Sequence, residues 1–556
     1  MIRTHTRWVS WLFICLICLC KAPVYAQTAD VQTVQPSNEN DAALYSLAAK
    51  LPSAKLNQME SLVTEISQVP HPKTREILSL VLNGDLYYIK SNRLLVAAIK
   101  VGKEYELTDV LHDSELASVK KSKIRKVRTN NRLRGLIRSA IAVLDLNSPN
   151  KDVRLQAVKQ LLDNPSTMGL DAITLRLDKE EDPEVSELMN VVLSLNQLKT
   201  GEHQAKLVAV SDLESSLQPE VRNTIANILR ELPQSQRNAQ EAELAAALNE
   251  VIKNIDAKRS RYGFIENVFF GLSLGSVLLL AAIGLAITFG VMGVINMAHG
   301  EMIMLGAYTT YVIQITFPSL IEYSLLMAIP AAFLVSGFVG VLIERGVIRF
   351  LKGRPLETLL ATFGVSLILQ QLVRTVFSPL NRQVQAPEWM TGSWVINPVF
   401  SLTYNRLYII IFSLVVFFTL MLILKKSSLG LHVRAVSQNR DMARALSIKS
   451  DWVDAATFGL GSGIAGVAGV VLSQLTNVGP NLGQAYIIDS FLVVVFGGVG
   501  NLWGTLVAAM SLGTINKFLE PITGSVLANI IVLVGLVLFI QKRPKGLFPQ
   551  KGRSAD

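Results

Sequence analysis

Between residues 264 and 541 the chain is a succession of nine apolar segments, at about 264–292, 300–317, 323–345, 356–377, 406–425, 453–474, 486–498, 500–517 and 524–541. Most approach the ~20 residues that an α-helix needs to cross a hydrocarbon core. In lipid a segment must satisfy its own backbone polar groups, which restricts such a series to a bundle of helices. The rest of the chain has the opposite character. Residues before 263 hold 34 of the 53 Lys+Arg and 31 of the 43 Asp+Glu. At 556 residues the chain exceeds what one core supports, so a soluble unit joined to a polytopic membrane unit is expected.

The first residues form a third element. Arg3 and Arg7 precede the short apolar core WLFICLICLC, and Val24 and Ala26 offer a small-residue cut site. This is the layout of a secretory signal peptide over residues 1–26, with a short first membrane helix as the competing reading. Cys15, Cys18 and Cys20 are the only cysteines and all lie in it. A chain cleaved after Ala26 has no disulfide, thiolate nucleophile or Cys-metal site.

Residues 27–260 are then an exported, periplasmic domain. Three stretches, NKDVRLQAVKQLL, DPEVSELMNVVLSL and QPEVRNTIANIL, share a polar start and a valine. Val153, Val185 and Val221 stand 32 and 36 residues apart, a spacing that suggests HEAT-like stacked helix pairs, with a plain helical bundle as the alternative. Charge is balanced here, which gives no reason to expect nucleic acid. The run KKSKIRKVRTNNRLR, Lys120 to Arg134, reads as a solvated helix face or as a surface for anionic lipid or a partner. The expected fold class is thus all-α: a polytopic membrane domain of about nine spans, 261–545, after an exported α-helical domain.

The orientation follows from the basic residues. Of the 19 Lys+Arg after 263, 15 fall in three regions: 345–354, 425–449 and the tail from 542. A chain that starts outside puts all three in the cytoplasm, in accord with the positive-inside rule, and makes 546–556 a cytoplasmic tail. Nine crossings then require 486–498 and 500–517 to form a hairpin, either spanning or re-entrant. The glycines of FGGVGNLWG at its tip suit a broken helix pair better than a dinucleotide loop, since no GxGxxG spacing or preceding strand is present. The small-xxx-small pairs Gly459/Gly463, Ser462/Gly466 and Ala465/Gly469 predict close helix packing.

Polar residues inside apolar segments mark the candidate site. In GVMGVINMAHGEMIMLGAY these are Asn296, His299 and Glu301, placed near the cytoplasmic mouth, where they cap broken helix ends, line a translocation route, or both. HGE is not HExxH, and positions two apart point to different helix faces, so no metal or other cofactor is expected. Asp489, beside Ser490, is the best candidate for a route-lining carboxylate, against the alternative of a helix-end cap. Glu357 starts a span next to a basic loop and reads as an N-terminal cap. The loop SLGLHVRAVSQNRDMARALSIKSDWV sets Ala435, Ala443, Leu446 and Ile448 among Arg434, Arg440 and Arg444. It predicts an amphipathic cytoplasmic helix suited to a partner's groove.

GVINMAHGEMIMLGAY and GLHVRA…N…ARALSI resemble the permease subunits of ABC importers of the branched-chain amino acid type. More narrowly, GRPLETLLATFGVSLILQQLVRTVFSP, YIIDSFLVVVFGGVGNLWGT and NKFLEPITGSVLANI resemble the urea ABC transporter permeases, over about 264–550. The resemblance implies an ATPase-coupling role for Gly430, Arg434, Ala435, Asn439, Ala443, Arg444, Leu446 and Ile448. Ser447 departs from it, standing where glycine is usual. It further implies cytosolic ABC ATPase subunits, a second homologous permease, a periplasmic urea-binding protein and a bacterial inner-membrane location. The chain contains no GxxxxGK[ST], so it is not expected to be an enzyme and its energy must come from a partner. Branched-chain amino acids or short amides are alternative cargoes. A passive urea channel, or a membrane-anchored scaffold using the soluble domain, are the rivals from other classes.

Overall fold

The computed structural model describes residues 38–101, 104–232 and 238–548. The signal-peptide segment 1–26 and residues 549–556 of the tail lie outside them. The chain divides into two compact units, one ending at Glu202 and the other beginning at His203.

The first unit is not all-α. Helices α1 (Asn38–Ala48), α2 (Leu56–Ser67) and α3 (Pro72–Asn83) lead into a five-stranded antiparallel sheet. Its strands are β1 (Leu86–Ile89), β2 (Leu95–Val101), β3 (Glu104–Asp109), β4 (Glu115–Val119) and β5 (Ile124–Lys126), in the order β4-β3-β2-β1-β5. Local chemistry explains the switch. α3 opens with proline after the His71 cap and stops at Gly84, whose φ of 81° is left-handed. Arg93 and Asp113 then take positive φ in the β1–β2 and β3–β4 turns. The Lys120–Arg134 run is not one helix face: it is shared among a 3-10 turn, the edge strand β5 and the start of α4. Helices α4 (Asn131–Asp145), α5 (Lys151–Asp163), α6 (Thr167–Leu177) and α7 (Pro183–Thr200) complete the unit. Ile66, Ile77, Leu133 and Ile137 form part of its core.

A buried ion pair ties α5 to the α6–α7 turn. Arg154 donates to both Glu180 oxygens, at 2.9 and 2.8 Å, and to the Ser148 and Pro149 carbonyls. Burial pushes the Glu180 carboxyl up, but the Arg154 hydrogen bonds and the Asp182 backbone N–H outweigh it and hold it below the usual carboxylate range.

The second unit begins with α8 (His203–Leu213) and α9 (Pro219–Glu231) and continues into a 54-residue helix, α10 (Ala239–Met292). The 260/261 position therefore falls inside one continuous helix. The remaining apolar segments all form helices: α11 (His299–Thr316), α12 (Ser324–Gly346), α13 (Pro355–Phe377), α14 (Tyr404–Lys426), α17 (Ser450–Ser473), α18 (Leu482–Gly497), α19 (Leu502–Thr523) and α20 (Ser525–Lys542). Between them lie a two-stranded hairpin, β6 (Ser393–Asn397) and β7 (Phe400–Thr403), and the short helices α15 (Ser428–Gln438) and α16 (Arg440–Ala445). Among the described residues six helices are long and apolar enough to cross a membrane: α10, α12 with its leading 3-10 turn, α13, α14, α17 and α20.

Helix α17 is the axis of this bundle, buried along nearly its whole length. Its glycines permit the crowding. A Cβ added at Gly306 of α11 would lie 1.9 Å from the Gly466 carbonyl oxygen, and one at Gly469 would lie 1.9 Å from that of Ile303. The expected small-xxx-small face is thus a helix–helix contact.

Candidate functional site

α10 ends at Gly293, which caps it with a left-handed φ of 67°. Residues 293–298 then double back, because His299 Nε2 lies 2.9 Å from the Ala281 carbonyl oxygen. The stretch Ala281–Met292 rises roughly 16 Å at 1.5 Å per residue. Asn296–Glu301 therefore sit beside the middle of the apolar part of α10, 264–292, and not level with its end as the sequence led us to expect. The start of α18 reaches the same level: a Cβ on Gly300 would meet the Gly483 carbonyl oxygen at 2.6 Å. Two helix N-termini, the positive ends of their helix dipoles, converge there.

The three polar side chains at this junction are buried and only half used. Asn296 Oδ1 accepts from the Ala298 N–H at 3.0 Å, while its Nδ2 has no partner among the described residues. His299 Nδ1 is likewise unpartnered. Glu301 Oε1 accepts from Ser366 Oγ at 2.9 Å and Gln370 Nε2 at 2.7 Å, whereas Oε2 accepts nothing. Met297 N–H donates to Thr362 Oγ1 at 3.2 Å. Such groups, shielded from water, ask for a polar occupant. Reasoning from sequence missed Ser366 and Gln370. Their signal was present: Thr358, Thr362, Ser366 and Gln370 recur every four residues, a buried polar stripe down α13.

Asp489 belongs to a different place. It lines an open cavity of about 310 Å³ among α10, α18, α19 and α20, with Tyr486, Asn516, Lys517, Glu520, Ser525 and Asn529 among the other lining residues. Among the described residues Lys517 is the one cation lining the cavity; it is ion-paired to Glu520, and Asn516 donates to Asn529. Ser490 does not join this lining: it is buried, and its hydroxyl donates to the Tyr486 carbonyl of its own helix at 2.7 Å. The structure thus separates the predicted pathway residues into a buried junction (Asn296, His299, Glu301) and a cavity wall (Asp489). Glu357 lies in the first turn of α13, as expected, 3.2 Å from Arg354.

The predicted coupling loop is a compact platform. Gly430 is needed where α15 turns under α14, since a Cβ there would lie 2.0 Å from the Leu424 carbonyl oxygen, which also accepts from Arg434. Asn439 caps α16 by accepting from Met442 N–H at 3.0 Å. Ala443 is buried, Ala435 and Ile448 are half-buried, and Arg434, Arg444 and Leu446 are exposed. Ser447 adopts the left-handed turn at φ 65°, the conformation that glycine supplies more cheaply. What fixes the platform was not foreseen. Buried Asp454 of α17 takes a two-pronged hydrogen bond from Arg440, at 2.6 and 3.0 Å, and Lys352 Nζ at 2.6 Å. Asp451 receives Lys352 at 3.0 Å, and Arg444 Nε donates to Ser450 at 2.8 Å. Leu431, Met442, Leu446 and Trp452 are left exposed.

Residues 267–541 match the family described as the permease component of branched-chain amino acid transport systems. The chain is 30% identical over 298 residues to the high-affinity branched-chain amino acid transport system permease protein BraD of Pseudomonas aeruginosa, covering 51% of this chain and 96% of that protein. It belongs to this permease family. The corresponding LivH permease of Escherichia coli K12 is 30% identical over 301 residues, 51% of this chain and 95% of its own. The ribose import permease RbsC of the same organism is more distant, 24% identical over 284 residues, 49% of this chain and 84% of its own. No solved structure matches the chain. The membrane half is thus a multi-pass transport permease.

Proposed function

We propose that this chain is the permease subunit of an ABC importer that carries urea across the bacterial inner membrane, driven by ATP hydrolysis in separate cytosolic subunits. The observation that carries the choice of urea is the chemistry of the Asp489 cavity. It offers an unpaired carboxylate and two amides, while its one cation, Lys517, is already neutralised by Glu520. Urea is small, neutral and rich in N–H donors, so it suits such a wall, whereas a zwitterion also needs a cation for its carboxylate. The junction of Asn296, His299 and Glu301 repeats the theme with spare donors and acceptors in a dry site.

The reading carries a topology of nine crossings. Leu547 N–H donates to the Phe496 carbonyl and Phe548 N–H to that of Gly497, and Gly290 packs on Gly500. These contacts gather the tail, the α18–α19 turn and the end of α10 at one end of the bundle, which we take as cytoplasmic. Residues 27–260 are then periplasmic, a helical and partly stranded domain that docks or gates a urea-binding protein. The exposed apolar residues of the platform meet the ATPase. α20, with little besides Ala528 and Leu536 buried, leaves a face for a second homologous permease, which closes the open cavity.

A second reading, an amino-acid permease, is favoured by the transport systems of BraD and LivH and by the presence of Lys517 opposite Asp489. The test is uptake of radiolabelled urea at low external concentration by cells with and without the chain, with leucine as competitor. Uptake that requires the chain and ignores leucine supports urea. Leucine competition transfers the assignment to amino acids.

A further inference from the structure

Glu344, in the last turn of α12, is fully buried, yet neither of its carboxylate oxygens has a hydrogen-bond partner among the described residues. Arg345 Nε stands 3.7 Å away, beyond hydrogen-bond reach. Buried carboxylates persist only with compensation, so a second state that supplies it is a physical reason for this one. The other charges around Glu344 are Lys352, Asp454 and Asp451. Lys352 follows it across the 3-10 turn Ile348–Leu351, a conformation with poorer hydrogen bonds that is easily remodelled.

The neighbouring carboxylate is crowded instead of empty. Asp454 holds both Arg440 of the platform and Lys352 of the α12–α13 loop, two cations that repel one another. We propose that Lys352 alternates between Asp454 and Glu344, and that Glu344 is the seat it takes when Arg440 holds Asp454 most firmly. The position of the platform then sets the position of the 347–354 loop. That loop leads directly into α13, which carries the Ser366 and Gln370 partners of Glu301. Glu344 is in this sense a positioning residue: it touches no solute, and it links the platform to the junction through α13.

The proposal rests on reading the chain as the permease of an ATP-driven importer, and the experiment separates the two. In the complete reconstituted transporter, ATP hydrolysed per solute moved is measured for wild type, Glu344→Gln and Glu344→Asp. In parallel, spin labels on cysteines introduced at Gln438 and Leu356, both exposed, report the distance from platform to α13 across the nucleotide cycle. Glu344→Gln is expected to raise the ATP-to-solute ratio at least fivefold and to reduce two distance populations to one, with both restored in Glu344→Asp. A wild-type ratio or both populations in Glu344→Gln overturns the proposal. Should that variant fail to assemble, Lys352→Gln must show the same loss, and a wild-type ratio there overturns it equally. Absence of any ATP-driven uptake by wild type would count against the importer reading instead.

Discussion

Glu301 and Asp454 are both buried carboxylates of the membrane half, and they are held in opposite ways. Asp454 receives two hydrogen bonds from Arg440 and an ion pair from Lys352, which bind the platform and the 347–354 loop to α17. Glu301 receives two neutral donors on one oxygen and none on the other, next to an Asn296 amide and a His299 nitrogen that are also unpartnered. A satisfied buried network rigidifies, whereas a half-satisfied one is costly unless something else enters it. The comparison separates a charge-paired joint that holds the platform from a place built to receive a solute.

The sharpest way to break it is Asp454→Ala. Removing that acceptor strands Arg440 and leaves Lys352 with Asp451 alone, and such losses cost about 3–5 kcal/mol. Thermal stability of the purified transporter should fall accordingly, and a variant as stable as wild type would mean that the platform is held some other way. Gly466→Val comes next. It drives a side chain into Ser336 and the Ala332 carbonyl of α12, and overpacking of this kind costs about 1–3 kcal/mol, read as a lower melting temperature and weaker expression.

Glu301→Gln sharpens the other side. The amide preserves shape and one acceptor, so stability should change by less than about 1 kcal/mol, while urea uptake drops on the order of tenfold or more. Equal losses of stability and uptake would make Glu301 structural and merge the two regions into one class.

The smallest effect is expected far from both, at Arg154–Glu180. Glu180 is held below the ordinary carboxylate range, so its contribution is fully present above about pH 4.3, the unfolded value, and is lost as pH falls through the lower folded value. Hydrogen exchange over 151–163 should therefore accelerate in acid and not at neutral pH, and Glu180→Gln should flatten that dependence. A slope that survives the substitution would place the acid sensitivity elsewhere.

Much of the membrane half was legible because lipid allows few solutions. All nine apolar segments lie in helices, with ends close to those expected except that the first helix begins at Ala239, well before 264, and the eighth runs on to Thr523. The sheet at 86–126 was not legible. β3 does alternate, Tyr105 and Leu107 each following an exposed glutamate, but only over six residues, β4 is mostly exposed, and the basic run after them suggested one helix where there are three elements. At the site, Asn296, His299 and Glu301 stood out as polar groups in an apolar context. Their depth did not, because the reversal at Gly293 and the approach to Ala281 are tertiary facts. The bonds from Ser366 and Gln370 to Glu301 span more than sixty residues of sequence, and those that hold Asp454 join segments that the sequence leaves unrelated. Ser490 lies apart from the Asp489 cavity wall, its hydroxyl satisfied on the backbone of its own helix.

The most direct test of the account is the steady-state ratio of internal to external radiolabelled urea in vesicles that hold the complete transporter, with and without ATP. We predict a ratio well above one that requires ATP and is untouched by excess leucine. A ratio that settles at one, or an ATP-driven accumulation of leucine and not of urea, would contradict it.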